Sequence, residues 1–196
     1  MPYIENIVDL INTELQTTWL VDKRFAGSKY YGISETTYRG AERFPSIQLK
    51  SGEITPIAID DLLPFTLWHR VDEIGHVADR DNSGFGDKDI NRKSIVEARL
   101  FACVNRQKTQ LNPNQFATLL SEGLPLRLTS AQAKSLELTY VIAEPILSNL
   151  RSKQVYDEEY FLTDRTFVDS EMYMLVVRYR IEVSYVRGCL AACACE

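Results

Sequence analysis

Residues able to do chemistry gather in three places in this chain of 196 residues. The first is the run Asp79-Arg-Asp-Asn-Ser-Gly-Phe-Gly-Asp-Lys-Asp89. Its Asp79-x-Asp81-x-Ser83-Gly84-x-x-Asp87 spacing matches the front half of a calcium loop, where oxygen ligands at alternate positions wrap a hard cation and glycine permits the sharp turn. The back half departs from that pattern. Ile90 stands at the twelfth position, where a bidentate glutamate is required, and Gly86 replaces the usual apolar eighth residue. Polar hairpin connections produce the same composition, so a solvated loop is the expectation and no metal ligand is assigned.

The second place holds the two histidines, His69 and His76. A spacing of seven puts them on opposite faces of a strand or two turns apart on a helix, and neither is the close pair that a metal takes. Beside Trp68, His69 is expected to be a half-buried sheet residue rather than an acid or base. The third is the C-terminal run Gly188-Cys-Leu-Ala-Ala-Cys-Ala-Cys-Glu196. Structural zinc wants four ligands, so Cys189, Cys193 and Cys195 would need the distant Cys103, and their spacing is not that of a zinc knuckle or ribbon. Terminal glutamate is a poor prenylation signal. Reduced thiols in a small-residue tail at 187–196, packed or meeting a neighbouring subunit, are expected.

Other chemistries lack their motifs. Gly84-Phe-Gly86 is followed by Asp87, not by the Lys-Ser/Thr start of a phosphate-binding helix, and there is no Gly-x-Ser-x-Gly elbow. By elimination an enzyme is not expected, and catalytic, cofactor-binding and metal residues are all read as none. A formal net charge of −5 argues against general attraction to nucleic-acid phosphate. The first residues carry acids and no basic or apolar leader regions, so no secretory signal is read there. No apolar run approaches the roughly 20 residues of a membrane-spanning helix.

The elements that must position these residues follow from periodicity. Ile4, Ile7, Val8, Ile11 and Leu15 recur at helical spacing, so Tyr3 to Leu15 is expected as a helix lying on a sheet. From Asp22 to about residue 43 a Gly-, Ser- and Tyr-rich stretch predicts a loop or extended arm, whose Tyr30, Tyr31 and Tyr38 either form a contact surface or cover the core. Phe44 to Leu49 and Glu53 to Ile59 read as short strands joined by Lys50-Ser-Gly52, with Pro45 and Pro56 marking them as edges. Leu62 to Val71 reads as strand-like because Pro64 interrupts any helix.

Ser94 to Arg106 alternates as a strand, with Val96, Ala98, Leu100, Ala102 and Val104 on one face and Glu97, Arg99 and Asn105 on the other. A long hairpin with the 79–89 loop protruding between the strands follows. Asn112 as N-cap, Pro113 at the first helical position and Gly123 past the end delimit a short helix that would bury Phe116, Leu119 and Leu120. Ser135 to Ile146 alternates as a further strand, and Ser148 to Tyr160 is expected as a connecting helix or a surface segment. Met172 to Val186 alternates throughout, with Val177, Tyr179, Ile181, Val183 and Tyr185 opposite Arg178, Arg180, Glu182 and Ser184. The fold class is therefore α+β: an antiparallel sheet with an N-terminal helix and one or two further helices on one face. Residues 1–196 are expected as a single domain, since this length buries roughly 70% of the unfolded surface.

In this element order the chain resembles the small α+β neck proteins of tailed bacteriophages, the tail-terminator and head-tail connector group. The residues that carry the resemblance are Ser94-Ile-Val-Glu-Ala-Arg-Leu-Phe-Ala-Cys-Val-Asn105 leading into Leu111-Asn-Pro-Asn-Gln-Phe116, and the closing Leu175-Val-Val-Arg-Tyr-Arg-Ile-Glu-Val-Ser184. They cover about half the chain, and its general character is similar to phages of Bacteroidetes hosts, the crAss-like group included. The resemblance implies a non-enzymatic structural subunit of the virion, assembled in the host cytoplasm, that forms a homo-oligomeric ring joining portal to tail. It implies other neck and tail proteins as partners, passive conduction of DNA without sequence-specific binding, no membrane and no cofactor. The Tyr-rich arm and the cysteine tail depart from the family pattern. The alternative is a monomeric binding or adaptor domain that takes calcium through Asp79, Asp81 and Asp87.

Overall fold

Strand β9 (Met172–Val186) occupies the middle of the fold because both of its edges are paired, one by β6 (Asn91–Asn105) and the other by β8 (Tyr140–Arg151). The computed structural model describes residues 2–49, 51–78, 91–124, 126–127, 140–151 and 171–186. Among these, β1 (Lys29–Ile33), β5 (Phe65–Ala78) and β7 (Leu126–Arg127) complete a six-stranded sheet in the order β1-β5-β6-β9-β8-β7. All its pairings are antiparallel except β1 with β5. A second sheet of three strands, β2 (Glu35–Arg39), β3 (Glu42–Gln48) and β4 (Ile54–Pro56), follows from the same stretch of chain as β1. The class is α+β, as the alternation and helix signals require.

The helices lie on one face. Helix α1 (Pro2–Glu14) continues as a π-turn, Leu15–Trp19, closed by the Leu20 N–H donating to the Leu15 carbonyl at 2.7 Å. Helix α3 (Pro113–Gly123) is set by a reciprocal capping box: the Gln115 N–H donates to Asn112 Oδ1 and the Asn112 N–H to Gln115 Oε1, both at 3.0 Å. A single turn, α2 (Arg106–Thr109), joins β6 to it, capped by Asn105. Ile7 and Ile11 from α1, Leu15 from the π-turn, and Phe116 and Leu120 from α3 meet the inward rows of β5, β6 and β9 in the larger core. Gly123 is the last residue of α3 rather than the one past its end.

The other face is divided. Over the half nearest the starts of β5 and β9, Trp68, Phe101, Cys103, Met174 and Val176 are buried with Ile57 beneath the small sheet, and Trp68 and Phe101 stack with ring centroids 5.6 Å apart. Over this half Leu100 to Val104 and Met172 to Val177 are buried on both sides, so the face opposite the helices is partnered here. The chain crosses between sheets at Ser34, whose N–H and Oγ both donate to the His69 carbonyl, at 2.7 and 2.9 Å.

Several other expectations change. The stretch read as a loop or arm holds a short helical turn, Lys23–Phe25, then β1, β2 and the start of β3; Tyr30 packs edge-to-face on Phe65, Tyr31 packs on the second cluster, and Tyr38 stands 70% exposed. Pro45 lies in β3, the middle strand of its sheet, not on an edge. Its carbonyl accepts the Ile57 N–H just past the last residue of β4, so the missing proline donor falls at the end of the ladder. Residues 148–151 belong to β8, which bulges between Ile146 and Asn149, and are not helical. The 79–89 loop, residues 135–139 and 152–160, and the 187–196 tail lie outside the described residues.

Candidate functional site

His69 is fully buried, not half-buried, and sits in a polar chain that crosses the larger core. Its Nε2 lies 2.9 Å from Asn12 Oδ1 and its Nδ1 lies 2.7 Å from the Tyr179 hydroxyl. Asn12 Nδ2 donates to the Tyr31 carbonyl at 3.0 Å, which turns its Oδ1 toward the imidazole. Because Oδ1 can only accept, His69 carries its proton on Nε2, and Nδ1 accepts from Tyr179. Tyr179 reaches β5 across the intervening β6 at Ala98, its register partner, whose small side chain leaves room for the phenol. Burial pushes the imidazole down to about 3 and the Tyr179 hydroxyl up, so both stay neutral. This chain satisfies every group in it and is closed to solvent, which makes it an anchor of α1 to the sheet.

His76 is not brought to His69. A register shift at Asp72 places position 76, opposite Ser94, in the same alternation as position 69, opposite Leu100, but six pairs further along the ladder. That separation is about 20 Å at strand spacing. Cys103 is buried in the second cluster, and desolvation pushes its thiol up to about 12, so it is an inert core residue. Asp79, Asp81, Asp87, Asp89, Cys189, Cys193 and Cys195 lie outside the described residues, and among the described residues no group of three metal-binding side chains occurs.

The feature the register creates lies on the second face at the border of the small sheet, where Arg70 donates to Thr36 Oγ1 of β2 at 3.2 Å. Arg70 on β5, Arg99 on β6 and Arg178 on β9 are direct cross-strand partners, so three guanidiniums stand in one row. Like charges opposed in a sheet are unfavourable. Asp72, extruded by the bulge in β5, offsets them: Arg99 Nε and one Nη bind its two carboxylate oxygens at 2.7 and 2.5 Å, and Arg70 Nε lies 3.8 Å away. The next row is Glu73, Glu97 and Arg180, with Arg180 3.9 Å from Glu97. The face thus carries a positive row beside a mainly negative one, with Arg178, Arg180, Glu73 and Glu97 exposed.

A separate cleft of about 230 Å³ opens on the small sheet, with Phe44, Pro45, Pro56 and Ile57 in its walls and Arg39 and Glu42 beside them. Arg39 lies over the Phe44 ring, 5.7 Å from its centroid. Among the described residues no helix is long and apolar enough to cross a membrane. Outward Arg178, Arg180 and Glu182 are readable from the alternation of β9, whereas their alignment with Arg70, Arg99 and Glu97 depends on pairing between strands remote in the chain. No protein-family model matches the chain, and no curated protein matches it.

Proposed function

We propose that the chain is a non-enzymatic structural subunit of a tailed-phage neck, forming a homo-oligomeric ring that joins portal to tail as connector or tail terminator within the virion. The observation that supports this reading is the divided second face. The small sheet covers one half, and the β5–β6–β9 ladder continues past it with ordered rows of both charges, as far as Ala78 opposite Arg92. A stiff ribbon presenting fixed charges of both signs is suited to register with a neighbour, and heterologous contacts that close under rotation make rings. The proposed neighbours are further copies and other neck and tail proteins, with DNA conducted passively.

Mass photometry and negative-stain microscopy of the full chain, alone and with portal and tail neighbours, test the reading. A discrete ring is expected, and a strict monomer in both settings overturns it. The cleft beside Phe44 and Pro56 favours the second reading, a monomeric binding or adaptor domain. For that reading the 79–89 segment supplies a calcium site, which calorimetry with millimolar calcium tests; absence of heat removes it.

A further inference from the structure

We propose that the outer edge of β2 is a self-complementary docking strand for β2 of a second copy, the two running antiparallel about a two-fold axis at Thr37. This goes beyond the ring reading and stands without it, because a two-fold contact closes at two copies whereas a ring needs heterologous ones. Strand β2 ends the order β2-β3-β4, so among the described residues no strand pairs its other side. The edge is open to solvent, with Glu35, Tyr38 and Arg39 all exposed. An open edge of this kind is a template for another strand.

The ladder fixes which backbone groups face outward. The Pro45 carbonyl accepts the Ile57 N–H, so Pro45 and, by alternation, Ile47 bond toward β4, while Phe44 and Ser46 bond toward their β2 partners Thr37 and Glu35. The N–H and C=O of Thr36 and Tyr38 therefore point away from β3. Two such edges match these groups best when Thr36 of one copy lies opposite Tyr38 of the second and Thr37 lies opposite Thr37, and each Thr36–Tyr38 pair then exchanges both of its backbone hydrogen bonds. The same register sets Glu35 opposite Arg39 at both ends of the pair. Sliding it by two residues either way leaves both charges without an opposite, so the ionic ends select one register. Both charges are available: among the described residues neither Glu35 nor Arg39 is in an ion pair, and the Arg39 guanidinium is held at the strand end over the Phe44 ring.

Charge exchange in the full chain tests this. Glu35→Arg alone and Arg39→Glu alone each set like charges opposite one another at both ends, whereas an equimolar mixture of the two variants sets opposite charges there again. Analytical ultracentrifugation is expected to show a dimer in the parent, association weaker by about tenfold in each variant alone, and recovery in the mixture, with unchanged melting transitions as the check on folding. Hydrogen exchange reads the backbone of the parent without any substitution: the Thr36 and Tyr38 amides should gain protection as concentration rises, and the Thr37 amide, already bonded to β3, should change little. A parent without a dimer at any concentration, or a dimer that both variants leave unchanged, overturns the edge pairing. A ring that assembles equally well from the parent and from each variant overturns it too while leaving the ring reading intact. Weakening in both variants without recovery in the mixture overturns the register.

Discussion

The Tyr179 hydroxyl donates to His69 Nδ1 at 2.7 Å across an intervening strand, and this contact, with Asn12 on the other ring nitrogen, fixes a neutral imidazole inside the core. Stability should therefore depend on acid in a particular window. The folded imidazole titrates near 3 and the unfolded one near 6.5, so between those values the unfolded chain binds the extra proton. Above the unfolded value the contribution is flat. As pH falls through the window, stability should drop by about 1.4 kcal/mol per pH unit from this group, levelling below pH 3. Urea unfolding at several pH values checks it, with His69→Gln as the comparison: the variant should show a shallower slope between pH 6.5 and 4.5, and identical slopes would remove the assignment.

Removing the Tyr179 hydroxyl isolates the same contact from the other side. Tyr179→Phe keeps the ring, which meets the imidazole edge-on with centroids 5.7 Å apart, but leaves a buried acceptor without a donor. A loss of about 1–3 kcal/mol is expected from chemical denaturation. Asn12→Ala should cost at least as much, because it strands both the His69 Nε2–H and the Tyr31 carbonyl. A neutral Tyr179→Phe would mean that water reaches Nδ1.

How legible these features are in the sequence follows from the range of the information each needs. Helices α1 and α3 and strands β6 and β9 carry their own periodicity and caps, and the observed Met172–Val186 span coincides with its alternation. The second core was legible only as a hint: Leu-Phe-Ala-Cys-Val at 100–104 and Met-Tyr-Met-Leu-Val-Val at 172–177 are unbroken apolar runs, the mark of a strand covered on both faces. The alternation of Glu97, Arg99 and Arg178 further along the same strands masks it. Strand β1 is short, contains Gly32 and pairs parallel at an edge, so nothing local announces it. The arginine row depends on two pairings and one bulge at Asp72, and no single strand contains that information.

Gly123 marks a close approach between α3 and the π-turn after α1. A Cβ there would lie 2.7 Å from Leu15 Cδ2 and 2.9 Å from Trp19 Cγ, and Leu15 is fully buried. Alanine would ordinarily favour a helix by up to about 1 kcal/mol. The overlap should outweigh that gain, since overpacking costs about 1–3 kcal/mol. Gly123→Ala is therefore expected to lower the melting temperature, and a stabilised variant would show that the π-turn can yield.

The small sheet depends on the second cluster, and its contact with the main sheet centres on Trp68, stacked on Phe101 at an interplanar angle of 4°. Trp68→Ala removes that contact and leaves a cavity among Ile57, Met174 and Val176, a change that costs about 3–5 kcal/mol in well-packed cores. The damage should be uneven. The Ile57 and Leu49 amides, which donate to Pro45 and Glu53 within the small sheet, should lose more hydrogen-exchange protection than the Leu124 amide at the end of α3, which belongs to the other core. Equal loss at all three amides would show instead that the two cores open as one unit, and that the small sheet has no independent hold on the face it covers.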